Sequence, residues 1–233
     1  MKVSAIVPAA GASRRMEGGL EKPYRLLGRK PLLVHSLWAL ERTPWINEII
    51  LLVSPRRLPK ARRMLKRYRF RKVRGVYPGG KTRAQSVYRG LLRADSHADF
   101  VLVHDGARPL LRSGLLRRVM TQARRTGAAI PALPVAPTIK QVAAGGVVVK
   151  TLSREGLCEA QTPQVFRRTL LFEAFRRFGR RKERATDCAA LVERTGHRVK
   201  VVVGDPMNIK VTTPMDLVVA EALLKKDAVR NRI

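Results

Sequence analysis

Three stretches of this 233-residue chain combine residue types and spacings suited to binding polyanions. The first is Pro8-Ala9-Ala10-Gly11-Ala12-Ser13-Arg14-Arg15-Met16, with Lys22 following in the same connection. Small side chains let main-chain N–H groups approach phosphate oxygens, while Arg adds a planar forked donor and Lys a compact charge. Such a loop suits a triphosphate; a glycine-containing turn with solvent-facing arginines is the plainer reading. The second stretch, Gly75 to Thr82, matches the P-loop spacing G-x-x-x-x-G-K-[ST]. Against that match stands the preceding Arg71-Lys72-Val73-Arg74, because the strand before a P-loop is buried on both faces and cationic side chains resist burial. The third, His104-Asp105-Gly106-Ala107-Arg108-Pro109, sets a carboxylate and a guanidinium three residues apart. Asp105 suits a Mg2+ ion carried on phosphates, or an ion pair with Arg that shapes the loop.

Farther along, Arg154, Thr162, Thr186, Asp187 and Lys210 fall in loops or at strand ends. His104 suits packing or hydrogen bonding, and His35, His97 and His197 are scattered, so no pairing of nucleophile and base stands out. No Cys or His spacing fits a transition-metal site.

The elements that must position these groups follow from the hydrophobic pattern. Short β-branched runs, as in Val3 to Val7, Ile49 to Val53, Val73 to Tyr77, Phe100 to Val103 and Ala128 to Leu133, alternate with helical patterns. The helices are expected at Leu32 to Leu40, Leu58 to Tyr68, Arg83 to Leu92 and Gly114 to Arg125. This alternation predicts an α/β fold, a mostly parallel twisted sheet with helices on both faces. Ligands of such sheets bind beyond the carboxyl ends of strands, which is where Pro8, Pro78 and His104 begin their loops. The rhythm breaks at Ala136. Val and Ala flank Gly145-Gly146 between Gln141 and Thr151, which predicts a projecting β-hairpin. A lone hairpin is marginally stable in water, so the arm, about 136 to 156, is expected to pack against a second copy. Helices are then expected at Arg167 to Phe178 and Asp187 to Arg194, a strand at Val199 to Val203 and a last helix near Pro214 to Lys225. The whole of 1–233 reads as one domain with that arm.

Composition narrows the class. With 45% hydrophobic residues the chain is too apolar for disorder, and it has no apolar run near the roughly 18 residues of a membrane span. Two cysteines, Cys158 and Cys188, exclude a disulfide scaffold and are expected to be reduced packing thiols, which with the lack of a signal-like start suggests a cytoplasmic protein. The chain carries 48 Lys and Arg against 17 Asp and Glu, a net charge of +31, and eleven of those bases lie between Arg56 and Arg74. A helix there with Leu58, Ala61, Met64 and Leu65 on a buried stripe leaves the charge solvated; an RNA-binding surface is the alternative, though aromatic interleaving is sparse.

In their order along the chain, the first loop, Lys22, Gly79-Gly80 with Arg83 and Ser86, His104 to Pro109, Thr138, Arg154, Gln161-Thr162-Pro163-Gln164, Thr186-Asp187 and Asn208-Ile209-Lys210 resemble one family. It is the 2-C-methyl-D-erythritol 4-phosphate cytidylyltransferase family of non-mevalonate isoprenoid biosynthesis. The resemblance implies a Rossmann-like nucleotidyltransferase fold and a homodimer that joins CTP to methylerythritol phosphate with Mg2+, needing neither membrane nor nucleic acid. By it, Ala9, Ala10, Gly11, Ala12 and Ser13 line the CTP phosphates, Gly80 and Ser86 meet the nucleoside, and Asp105 holds the metal. Arg15 and Lys22 stabilise charge at the α-phosphate, and Arg154 and Lys210 place the attacking phosphate. Arg108, Thr138, Thr162, Thr186 and Asp187 surround the sugar alcohol. A ribitol 5-phosphate cytidylyltransferase of the same fold is the nearest rival. This chain departs from the family pattern at Ser13, at Gly106, at Pro137 and at Cys188, which follows Asp187 where a second acid is common.

Overall fold

The computed structural model describes residues 1–11, 22–178 and 185–230, apart from the side chains of 22 and 227–230. It begins with β1 (Val3–Ala9), the short pair β2 (Leu26–Leu27) and β3 (Lys30–Pro31), α1 (Leu32–Glu41) and β4 (Glu48–Val53). Next come α2 (Leu58–Arg67), β5 (Val73–Pro78), α3 (Arg83–Leu91), β6 (Phe100–Val103), α4 (Ser113–Thr126) and β7 (Ala128–Pro134). The expected hairpin follows as β8 (Ile139–Val142) and β9 (Val148–Leu152), paired antiparallel across Gly145 and Gly146, both at positive φ. The chain continues through β10 (Cys158–Ala160), β11 (Gln164–Arg167), α5 (Arg168–Phe178), α6 (Cys188–Glu193), β12 (Lys200–Val203) and α7 (Pro214–Arg230).

The main sheet has the order β10-β7-β11-β6-β1-β4-β5, with β12 also paired to β7. β6, β1, β4 and β5 are mutually parallel, while β11 opposes β6 and β7. From β1 the chain steps outward to β4 and β5, then α3 carries it back to β6 on the other flank of β1. That reversal opens a crevice beyond the carboxyl ends of β1, β4, β5 and β6.

Strand alternation explains why helices cover both faces. Ile49, Leu51 and Val53 of β4 join α1, α2 and α4 through Leu37, Ala61 and Val119, whereas Ile50 and Leu52 join α3, α5 and α6 through Val87, Phe175 and Leu191. Both faces of the strand are therefore apolar, as its sequence Glu-Ile-Ile-Leu-Leu-Val requires. β5 ends the sheet, and its exposed Arg74, like Arg71 and the half-buried Lys72 just before it, fits that place because an outer strand keeps one flank in water. The basic helix α2 buries Ala61 and Met64 and leaves Arg62, Arg63, Lys66 and Arg67 exposed, the solvated arrangement.

Local chemistry sets the helix ends nearest the crevice. Thr82 caps α3 by accepting the Gln85 N–H at 3.1 Å, and Asp187 caps α6 by accepting that of Ala190 at 2.9 Å. At the start of α7, Thr213 and Asp216 exchange main-chain to side-chain hydrogen bonds in a reciprocal cap.

Candidate active site

β1 delivers Ala9, buried, then Ala10 and the exposed Gly11 to the rim. Ala12, Ser13, Arg15 and the Lys22 side chain lie outside the described residues. Opposite Ala10 stands Gly79, where a Cβ would come within 2.3 Å of the Ala10 Cβ, so only glycine admits this approach of the two loops. Gly106 is held nearly as closely, since a Cβ there would meet the Leu33 methyl at 2.9 Å and the Ala9 Cβ at 3.2 Å.

The loop from Gly79 to Thr82 is turned inward. Its N–H groups donate from Gly79 to the Val53 carbonyl at 2.8 Å, from Gly80 to Ser86 Oγ at 3.0 Å and from Lys81 to Gln85 Oε1 at 2.8 Å. Ser86, itself buried, donates to the Thr82 carbonyl. A P-loop needs successive free N–H groups to cradle phosphate, and here three in a row are used within the protein. The spacing match at Gly75 to Thr82 is a coincidence of sequence.

The charged centre of the rim is Asp105. Its Oδ1 accepts from Arg83 Nε and its Oδ2 pairs with Lys210 Nζ, each at 2.8 Å. Burial opposes ionisation, but the two cations outweigh it and hold the carboxyl well below the usual carboxylate range. Arg83 also directs Nη1 toward Cys188 Sγ at 3.7 Å, while its buried Nη2 finds no partner among the described residues. Burial pushes the Cys188 thiol up to about 11, so at neutral pH it is a packing group. Cys158, expected to pack likewise, is instead exposed on β10.

Lys210 reaches Asp105 because its neighbours are tied down on both sides. Arg108 Nη1 donates to the Asn208 carbonyl at 2.6 Å, and the Val211 N–H donates to the Ala107 carbonyl at 2.9 Å. Asn208 Nδ2 further donates to the Thr162 carbonyl at 2.7 Å. Arg108 is thus buried as a brace between the Asp105 loop and the Lys210 segment, and burial lowers its guanidinium below the ordinary value.

The remaining expected contacts divide into two kinds. Thr162 is buried with its hydroxyl accepting the Asp105 N–H, and both oxygens of Asp187 are engaged, by the Ala190 N–H and by Gln164 Nε2 at 2.6 Å. Thr186, Thr138 and Arg154 are exposed, the last two at the base of the arm, where Arg154 Nη1 donates to the Ala136 carbonyl. The structure therefore gathers Ala9, Ala10, Ser86, Asp105, Arg108, Thr162 and Lys210 near the crevice and leaves Thr138 and Arg154 on the arm. Arg83 had no assigned role in the sequence. The signal was present in Thr82, a cap that puts Arg83 in the first turn of α3, at the rim beside a carboxylate in need of a cation.

As a metal site the rim is incomplete by itself. No group of three or more His, Cys, Asp and Glu converges among the described residues. One carboxylate fits Mg2+ when substrate phosphates and water supply the remaining oxygens, the usual arrangement for that ion.

Comparison with known proteins bears on what this rim does. The model of the 2-C-methyl-D-erythritol 4-phosphate cytidylyltransferase family matches residues 3–226. A protein of that name from Syntrophus aciditrophicus is 43% identical over 227 residues, 97% of each chain. Another from Dehalococcoides mccartyi is 45% identical over 225 residues, again 97% of each. The solved structure of 4-diphosphocytidyl-2C-methyl-D-erythritol synthase from Anaerococcus prevotii has a TM-score of 0.83 at 32% identity and 96% coverage of both chains. That of the cytidylyltransferase from Thermus thermophilus has a TM-score of 0.77 at 34% identity, covering 97% of this chain and 100% of the other.

Proposed function

The chain belongs to the 2-C-methyl-D-erythritol 4-phosphate cytidylyltransferase family, and from that premise we propose how its own residues carry the reaction. It transfers the cytidylyl group of CTP to 2-C-methyl-D-erythritol 4-phosphate and releases pyrophosphate, a step of isoprenoid biosynthesis. A phosphate monoester with a second pKa of about 6 is already a dianion at neutral pH. Its oxygen attacks the α-phosphorus, and the bond to the β-phosphate breaks with the electron pair leaving on pyrophosphate. No proton has to be removed first, which agrees with a rim where Arg83 and Lys210 gather and the one carboxylate between them, Asp105, is held ionised by both. The obstacle is repulsion between two polyanions, so fixed positive groups that need no reorganisation are the main source of rate.

The observation that carries this reading is the convergence of Arg83 and Lys210 on Asp105 at the switch of strand order. Asp105 aims the Lys210 ammonium, whose side chain stays 42% exposed, leaving two further N–H donors for the acceptor phosphate. Arg83 holds the other oxygen of Asp105 and adds fixed positive charge behind the rim. The amides from Ala9 to Ser13 would cradle the CTP phosphates, with Arg15 and Lys22 at the α-phosphate and Gly80 and Ser86 beside the nucleoside. Mg2+ would be held by Asp105 together with the phosphates, and when bound it neutralises part of their charge. Thr186 and the arm residues Thr138 and Arg154 would meet the sugar alcohol and its phosphate directly. Arg108, Thr162 and Asp187 act by holding the loops around it.

The arm supports a homodimer. Val147, Val148 and Val149 are 65%, 54% and 62% exposed, and Val142 is 51% exposed, a cluster of apolar surface that a second copy would cover. Arg154 and Thr138 at the base of the arm would then complete the partner's site. No helix among the described residues is long and apolar enough to cross a membrane, in keeping with work in the cytoplasm.

The test is pyrophosphate release from CTP, measured with methylerythritol phosphate and with ribitol 5-phosphate as acceptors. Release with the first acceptor alone is expected, and equal or better turnover of the second overturns the assignment. Lys22→Ala or Arg15→Ala is expected to lower turnover by about 10²-fold or more; near-normal turnover in either would remove that residue from the α-phosphate.

A further inference from the structure

We propose that His104, fully buried and so out of reach of substrate, is a positioning residue: its Nε2–H tautomer sets the direction of a hydrogen-bond chain that ends on the main chain of Asp105. The inference deepens the proposed function and rests on it.

The direction follows from one carbonyl. His104 Nε2 lies 3.0 Å from the Arg108 carbonyl oxygen, which only accepts, so the ring hydrogen must sit on Nε2. In the neutral ring Nδ1 is then bare and must accept. Its neighbour at 3.1 Å is Thr162 Oγ1, which has one hydrogen to give. A hydroxyl that donates to Nδ1 keeps its lone pairs, and one of them receives the Asp105 N–H at 3.1 Å. The opposite tautomer would set a bare Nε2 against a carbonyl oxygen in a buried site, and a doubly protonated ring would strand the Thr162 hydrogen. Only one polarity satisfies every atom.

The consequence reaches the reacting groups through the backbone. The Arg108 N–H donates to the Asp105 carbonyl at 3.0 Å, and Ser36 Oγ contacts the Gly106 and Arg108 carbonyls at 3.1 Å each, so the turn from His104 to Arg108 is closed on itself. His104 locks that turn to Thr162, a residue 58 positions away. The carboxylate on Asp105 is thereby held where Arg83 and Lys210 meet. Removing the imidazole leaves every charge present but lets the turn carrying Asp105 shift, so the loss belongs in kcat and not in KM.

Two measurements decide this. Long-range 1H–15N spectra of the wild-type protein, with the His104 ring among four histidines identified by its loss in His104→Asn, are expected to report the Nε2–H tautomer. An Nδ1–H ring or a doubly protonated one overturns the proposal, whether or not His104→Leu folds and whether or not the enzyme accepts methylerythritol phosphate. His104→Leu, which deletes both ring nitrogens, is expected to lower kcat about 10- to 100-fold with both KM values within about threefold. His104→Asn, which keeps an acceptor for Thr162, is expected to regain about tenfold. Unchanged kcat in His104→Leu, or a loss confined to KM, overturns the positioning role; absence of turnover by the wild type with these substrates instead defeats the functional reading and leaves the tautomer result standing.

Discussion

The rim and the arm solve opposite problems with the same alphabet. At the rim, Arg83, Asp105, Lys210, Arg108 and Thr162 are drawn together from four separate segments and bonded to one another or to main chain within the protein. On the arm, a two-stranded hairpin presents valines to solvent and carries Thr138 and Arg154 at its base, without bonding either to the rim among the described residues. The rim is held together by bonds within its own chain; the arm leaves its valines exposed. What separates them is burial. A charged group becomes an accurately placed tool when water is excluded and its counter-charge is fixed, and stays a solvated side chain when neither holds.

The sharpest way to break this contrast is at Lys210. Lys210→Ala is expected to lower kcat by about 10²- to 10³-fold, because it removes a preset charge from the acceptor phosphate and frees one oxygen of Asp105. Steady-state kinetics giving a loss below tenfold would make the rim cluster structural only.

Acid should undo the rim before the arm. Burial holds the His104 ring down at about 4, so between that value and its unfolded value near 6.5 the unfolded chain binds the extra proton. Stability from this group is complete above pH 6.5 and is lost as pH falls toward 4, by about 3 kcal/mol. Asp105, whose carboxyl is also depressed, acts with the same sign at lower pH, since its contribution is present above the unfolded carboxylate value and vanishes below it. Denaturant midpoints of wild type and His104→Asn from pH 7 to 4 should converge on acidification; parallel curves would mean that the buried ring does not titrate with unfolding.

The arm is tested by charge. Val147→Asp with Val149→Asp is expected to dissociate a dimer in analytical ultracentrifugation and to lower activity about tenfold at low protein concentration, with rescue as concentration rises. A wild-type monomer of full activity would show that the site is complete in one chain. The smallest effect separates the two cysteines. Iodoacetamide at pH 8 is expected to label exposed Cys158 on β10, which follows the arm, and to spare Cys188, whose buried thiol is pushed up to about 11, until the protein is unfolded. Equal labelling of both would mean that the contact beneath Arg83 opens in the native state.

Much of this molecule was legible in one dimension because the physics there is local. The run Ile49 to Val53 announces a strand buried on both faces, Gly145-Gly146 announces a hairpin, and the stripe Ala61, Met64 on a basic helix announces a solvated surface; each depends on neighbours a few residues away. The P-loop spacing at Gly75 to Thr82, already set aside for its cationic approach strand, is empty for a related reason, since spacing records which amides exist and not which are already bonded. Asp187 likewise carries a carboxylate in any reading, but only the folded chain shows its oxygens given to a helix cap and to Gln164.

By itself, then, the order of residues determined the helices and most strands but not the short β2, β3, β10 and β11, together with the excess of positive charge, the small-residue loop after β1 and the family resemblance, because period, propensity and motif are properties of short stretches and those strands are too brief to show a period. Tertiary structure alone decided that Arg83 and Lys210 share one carboxylate and that Arg108 and Thr162 brace instead of facing solvent. Those outcomes turn on desolvation and on contacts across up to 105 positions of chain, and Coulomb attraction and hydrogen bonding act through space, where neighbours in sequence give no measure of distance.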